Sequence, residues 1–199
     1  QALKARGTKV VLSINGKPGW EGHPGGWANL DAQAFARNVK RIVDQWGFDG
    51  VDLDNENPGV TPGDDFVSVI AALRDALGPD ALLTLPVYLG QGRDAYLAKA
   101  KNDISFVSTM AYWNGLQGQI AIYEQYAALV GTGKVAIGVA NAANSGQNTS
   151  FADVPRIAAW DPGASSKAGV MLWNLNAPSP DETALWCKTI ADNLSHPVG

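Results

Sequence analysis

Two kinds of segment alternate along the chain. Short apolar runs rich in β-branched residues occupy Lys9–Gly16, Phe48–Glu56, Ala81–Tyr88, Ile104–Trp113, Lys134–Ala142 and Gly169–Asn176. Each has the length of a buried strand. Between them run segments of helical period. In Asp31–Trp46 the positions Phe35, Val39, Ile42, Val43 and Trp46 share one face, and Gly47 supplies a stop. Phe66, Ile70, Leu73 and Leu77 form a stripe in Asp64–Leu77, closed by Gly78-Pro79. The pattern returns as Ile120, Tyr123, Ala127 and Val130 before Gly131, and as a shorter candidate over Ala152–Trp160. Ser179, Pro180 and Glu182 read as N-cap, first helical position and capping-box partner of a last helix lined by Trp186, Ile190 and Leu194.

Strand and helix therefore alternate, and continuously apolar strands predict a parallel α/β sheet covered by helices. Six strands are visible where a closed (β/α)8 barrel needs eight. Ala2–Gly7 reads as the end of a helix entering a strand. The predicted fold is a (β/α)8 barrel lacking its first two strand–helix units, with residues 1–199 as one N-terminally incomplete domain.

Composition narrows the function. With 46% hydrophobic and 17% charged residues the chain can bury a sizeable core. Its net charge is −4, and the fifteen Lys and Arg are scattered, so the basic stripe of a nucleic-acid protein is missing. No apolar run approaches the ~18 residues of a membrane helix. Cys187 is the single cysteine, which rules out an intrachain disulfide, and beside Trp186 on a predicted helix it reads as a buried thiol. Seven tryptophans exceed what such a core requires, and exposed indoles suit flat sugar faces.

The chemistry concentrates in Asp49-Gly50-Val51-Asp52-Leu53-Asp54-Asn55-Glu56. Strand side chains alternate, so Asp52, Asp54 and Glu56 point one way, ~6.5 Å apart, and Val51 and Leu53 the other. Packed like charges are costly unless they share protons or bind cations. A shared proton makes a working acid: Glu56, at the C-terminal end of the strand, is the expected donor to a leaving oxygen, with Asp52 and Asp54 holding one proton between them. A Ca²⁺ or Mg²⁺ site is the competing reading. However, a calcium loop needs Gly at its sixth position, which counted from Asp52 is Asn57.

That segment resembles the Asp-Gly-x-Asp-x-Asp-x-Glu signature of glycoside hydrolase family 18, which contains chitinases, endo-β-N-acetylglucosaminidases and inactive lectins. Ser13-Ile14-Asn15-Gly16 is similar to the family's Ser-x-Gly-Gly motif, with Asn15 for the first Gly. Met110-Ala111-Tyr112-Trp113-Asn114 is similar to its Met-x-Tyr-Asp motif, with Trp113 where Asp is common. Gly169–Trp173 is similar to the eighth barrel strand with its sugar-floor Trp. The resemblance implies a retaining hydrolase of β-1,4-linked N-acetylglucosamine, with an N-glycan endoglycosidase or a non-catalytic chitin-binding lectin as alternatives. Glu56 would protonate the glycosidic oxygen while the substrate's own acetamido carbonyl attacks the anomeric carbon. Asp54 would orient the acetamido N–H, Asp52 would trade a proton with Asp54, Tyr112 would bond the acetamido oxygen, and Trp173 would floor the sugar. Met110, Trp113 and Asn114 would line the same site. Asn55 replaces the usual aromatic or aliphatic residue and is expected to face away from the acids. No cofactor or metal is implied; the expected partner is a GlcNAc-containing oligo- or polysaccharide, with no nucleic acid or membrane, acted on by a secreted monomer.

Trp20 and Trp27 flank a Gly-rich loop after the first strand, where sugar stacking and loop packing are both open. His23 reads as a loop residue, and Trp46, Trp160 and Trp186 as core.

Overall fold

The structure is a computed structural model that describes residues 2–16, 27, 30–55, 63–88, 94–141, 148–163, 165–175 and 179–194. Among them, strands β1 (Leu12–Asn15), β2 (Gly50–Asp54), β3 (Leu82–Val87), β4 (Phe106–Thr109), β5 (Val135–Ala140) and β6 (Gly169–Trp173) alternate with helices α1 (Ala32–Trp46), α2 (Asp64–Leu77), α3 (Leu97–Ala100), α4 (Leu116–Val130), α5 (Val154–Ala159) and α6 (Pro180–Asn193). Each strand lies inside a segment predicted for one, and α3 is additional. The chain divides into two compact units, Gln1–Pro86 with Gln91–Ser105, and Val87–Gly90 with Phe106–Gly199.

In the first unit β1, β2 and β3 run parallel, pairing Ser13 with Asp52, Asn15 with Asp54, and Asp52 with Thr84. Val51, Leu53, Leu83 and Leu85 join Val39, Val43, Phe66, Ile70 and Leu73 in its core. Asp31 caps α1 by accepting the Ala34 N–H at 2.9 Å, and Gly47 ends the helix in the left-handed conformation at φ 69°. The inward face of α1 is Ala36, Val39 and Val43. Ile42 and Trp46, expected in the core, are instead exposed, Trp46 by 70%. Apolar period sets the angle of a residue about the helix axis but not whether a neighbour covers that turn, and Trp46 closes the last one. Arg74 of α2 donates to the carbonyls of Gly78, Ala81 and Asp103 at 2.7–2.8 Å, tying the helix to the loop entering β3.

The second unit is built on β5, every residue of which is buried, paired in parallel with β4 and β6. Helix α4 turns Gln119, Ile122, Tyr123, Tyr126 and Val130 inward, which keeps Tyr123 and Val130 of the predicted stripe and leaves Ile120 and Ala127 half-buried. Its apolar residues occupy more than one side, so period alone does not select the face. Ser179 caps α6 by accepting the Glu182 N–H at 3.2 Å, and Trp186 and Ile190 are buried as predicted. Cys187 is exposed, contrary to expectation, because one residue beyond inward-facing Trp186 is a rotation of about 100°. Buried Lys167 closes the end of α5, donating to the carbonyls of Ala158 and Trp160 beside Asp161 at 3.6 Å.

Candidate active site

Gly50 opens β2 at φ 152°, and a Cβ there would lie 1.9 Å from the Leu82 carbonyl oxygen. Only glycine fits that approach of β2 to β3. The preceding Asp49 anchors this end of the strand: it accepts the Val10 N–H at 2.8 Å and pairs with Lys4 at 3.0 Å. The Val10 N–H, then Lys4, hold its carboxyl below the ordinary carboxylate value.

Beyond Gly50 the expected alternation holds. Val51 and Leu53 are fully buried, and Asp52 and Asp54, on the other face, are half-buried. Register supplies their partners. Asp52 accepts from the Thr84 hydroxyl at 2.5 Å and the Ser13 hydroxyl at 3.4 Å. Asp54 accepts from the Asn15 amide at 3.0 Å. Burial pushes the Asp52 carboxyl above its ordinary value, and the two hydroxyls pull it part of the way back. Thr84 was missed in the sequence; its signal is one hydroxyl in the otherwise apolar run Leu82-Leu83-Thr84-Leu85.

Asn55 accepts from the Trp27 indole N–H at 3.1 Å. Trp27 is 7% exposed, packed against Phe35 and Phe66, and a Cβ on Gly16 would meet its ring at 2.4 Å. Of the two roles open to Trp27, the structure shows loop packing; its buried ring offers no face to a sugar. Glu56, Trp20 and His23 lie outside the described residues. Among the described residues no three His, Cys, Asp or Glu gather as metal ligands.

The second unit carries the predicted aromatic residues. Buried Tyr112 stacks on Trp173, with ring centroids 5.7 Å apart and planes 8° from parallel, and Trp173 is 38% exposed. The Tyr112 ring lies over Gly138, where a Cβ would come within 3.0 Å of Cε1 and 1.8 Å of the Thr109 carbonyl oxygen. Thr149 accepts the Ala140 N–H at 3.0 Å and donates its hydroxyl to the Tyr112 carbonyl at 2.8 Å. The Trp173–Asn174 peptide bond is cis. Trp113 points partly to solvent against the ring of Tyr88, 5.9 Å away. Tyr88 is a second residue missed in the sequence. Asn114 donates its amide to the Ala111 carbonyl at 3.3 Å, closing the turn after Tyr112. Half-buried Met110 donates its N–H to the Val87 carbonyl at 2.7 Å.

Thus Ser13, Asn15, Asp52, Asp54 and Thr84 gather in one unit, and Tyr112, Trp173, Thr149 and Gly138 in the other. The first arrangement can hold and share protons; the second presents flat apolar surface bordered by a phenol.

Known proteins are similar to this chain in sequence and in fold. The family model for glycosyl hydrolases family 18 matches residues 1–154. A chitinase of Enterococcus faecalis is 31% identical over 109 residues, which span 55% of this chain and only 25% of that relative. A fungal endo-β-N-acetylglucosaminidase of glycosyl hydrolase family 18 superposes with a TM-score of 0.78 at 20% identity, covering 97% of this chain and 74% of its own. The endo-β-N-acetylglucosaminidase of Cordyceps militaris, solved in complex with fucosyl-N-acetylglucosamine-Asn, superposes at 0.73 and 20% identity, covering 98% and 72%. At such identity the structures show the fold: this chain has the (β/α) barrel fold, with six of its strands among the described residues.

Proposed function

The chain belongs to the glycosyl hydrolases of family 18, and from that membership we propose that it is a retaining hydrolase of β-1,4-linked N-acetylglucosamine, acting on chitin or chitooligosaccharides. The observation that carries this reading is the strand face of Asp52 and Asp54, supplied with donors by Ser13, Asn15 and Thr84; Glu56 follows two residues later in the sequence. A strand with only a structural role would not place two carboxylates on one face, one of them with a raised pKa, two positions before a third acid in the sequence.

In the first step Glu56 gives its proton to the glycosidic oxygen as the C1–O bond breaks. The acetamido carbonyl oxygen closes on C1 from the opposite face, forming an oxazolinium ion. Asp54 accepts the acetamido N–H and offsets the developing positive charge. Asp52, whose half-buried carboxyl takes a proton more readily than an ordinary one, takes up or returns the proton that lets Asp54 ionise. The Tyr112 hydroxyl meets the acetamido oxygen, and Trp173 lies under the ring. Water then attacks C1, giving its proton to the Glu56 carboxylate. Two inversions at C1 leave the configuration retained.

Chitin is preferred because the 31% identical relative is a chitinase. Likeness to the endoglycosidase structures supports the N-glycan chitobiose core as the second substrate. Both lie outside cells, which supports secretion, and we take the active form to be a monomer.

The test is incubation with chitooligosaccharides and with a high-mannose glycopeptide, reading early products by proton NMR for the β anomer. Glu56→Gln should lower hydrolysis by about 10²–10⁴-fold while oligosaccharide binding persists. Cleavage of neither substrate by the folded full chain refutes the hydrolase and leaves the lectin alternative, which binding alone supports.

A further inference from the structure

The mechanism leaves unused a buried amide at the end of β5. Asn141 is 6% exposed and follows Ala140, the last β5 residue paired with β6. Its backbone N–H donates to the Trp173 carbonyl at 3.0 Å. Its side-chain Oδ1 accepts the Asn174 N–H at 3.0 Å, and its Nδ2 donates to the Thr183 hydroxyl on α6 at 3.3 Å. One residue therefore takes both polar atoms of the peptide unit that follows the Trp173 Cα, and a helix holds that residue in turn.

Ladder bonding alone explains half of this. In a parallel pair the backbone of β5 can occupy the Trp173 carbonyl, but the Asn174 N–H lies past the ladder and needs a side chain. That side chain must accept toward the N–H and donate toward Thr183, which an amide does at once. The neighbouring contact repeats the device. Thr149 accepts from Ala140 and donates to the Tyr112 carbonyl, while its N–H bonds the Ala140 carbonyl at 3.1 Å. Both rings of the stacked pair are thus fixed at their own carbonyls from the end of β5. A ring whose backbone is held at that point has only its side-chain torsions left to vary, and the parallel stack restricts those.

We propose that Asn141 is a positioning residue for Trp173, setting the plane on which the N-acetylglucosamine ring rests. This rests on the hydrolase reading above. Displacement of a positioned group by about 1 Å can cost ~10²-fold in rate.

The experiment labels the full chain with 5-fluorotryptophan and assigns the Trp173 resonance among the seven with Trp173→Phe. In Asn141→Ala that resonance shifts while the other six hold. Asn141→Asp, which keeps an acceptor for the Asn174 N–H and can take the Thr183 hydroxyl as a donor, brings it back. On chitooligosaccharides kcat/KM falls about 10- to 100-fold in Asn141→Ala and recovers in Asn141→Asp. A Trp173 resonance unmoved in Asn141→Ala, or displaced equally in Asn141→Asp, overturns the proposal. If Asn141→Ala does not fold, Thr183→Val takes its place, and an unmoved resonance overturns it there. A wild-type chain that cleaves no substrate defeats the hydrolase reading, while the fluorine spectrum still decides whether Asn141 holds Trp173.

Discussion

The two units handle their functional groups by opposite means. In the first, charge sits on strand side chains and is held by other side chains: Thr84, Ser13 and Asn15 reach Asp52 and Asp54 across the register. In the second, rings are held through their backbones, Tyr112 by Thr149 and Trp173 by Asn141. The difference follows from the forces involved. A carboxylate is stabilised by donors placed on its own oxygens. Stacking is weak and depends on plane and distance, so a ring is useful only where its main chain cannot drift. The acids therefore need donors on the neighbouring strands, and the rings need a fixed main chain.

The sharpest break in this comparison is a split in kinetics. Asp54→Asn should lower kcat about 10²- to 10³-fold with KM little changed, because the lost charge acts on the transition state. Trp173→Ala should raise KM about tenfold and lower kcat less. Steady-state kinetics on one chitooligosaccharide read both; equal effects on both parameters in both variants erase the distinction.

Backbone crowding comes next. Gly50→Ala and Gly138→Ala each drive a Cβ into a carbonyl oxygen under 2 Å away, so each should cost about 3 kcal/mol or more in urea unfolding. Gly138→Ala should also perturb Tyr112, with near-ultraviolet circular dichroism as the readout.

Smaller effects are expected in acid. Asp49 has a lowered pKa in the fold, so its contribution is present above the unfolded value and lost as pH falls through the folded one. Asp52 has a raised pKa, so its contribution is present at low pH and lost as pH rises through the folded value. Thermal unfolding between about pH 3 and about pH 7 should therefore lose part of its acid sensitivity in Asp49→Asn. Asp52→Asn should gain stability toward neutrality relative to wild type. The smallest change is Thr84→Val, which removes the shorter hydrogen bond on Asp52 and should move the acidic limb of the kcat/KM profile upward.

Several of these features were legible in the residues. The cap at Ser179, the stop at Gly47 and the alternation of Val51, Asp52, Leu53 and Asp54 are local, and the structure repeats them. Others were not. Thr84 looked like an apolar-strand residue until register set it beside Asp52. Trp27 and Trp46 carry the same side chain, yet one is packed against two phenylalanines and the other is 70% exposed. Nothing near Asn141 or Thr149 in sequence points to Trp173 or Tyr112, which lie more than thirty residues away.

Order of elements, parity of the carboxylates and family membership were determined by the sequence alone, because each depends on spacing over a few residues. Which hydroxyl meets which acid, which indole is covered, and which buried amide grips the last strand were decided only by the tertiary structure. Those outcomes depend on contacts between segments far apart in the chain, and a period of two or of 3.6 residues carries no information about what stands opposite.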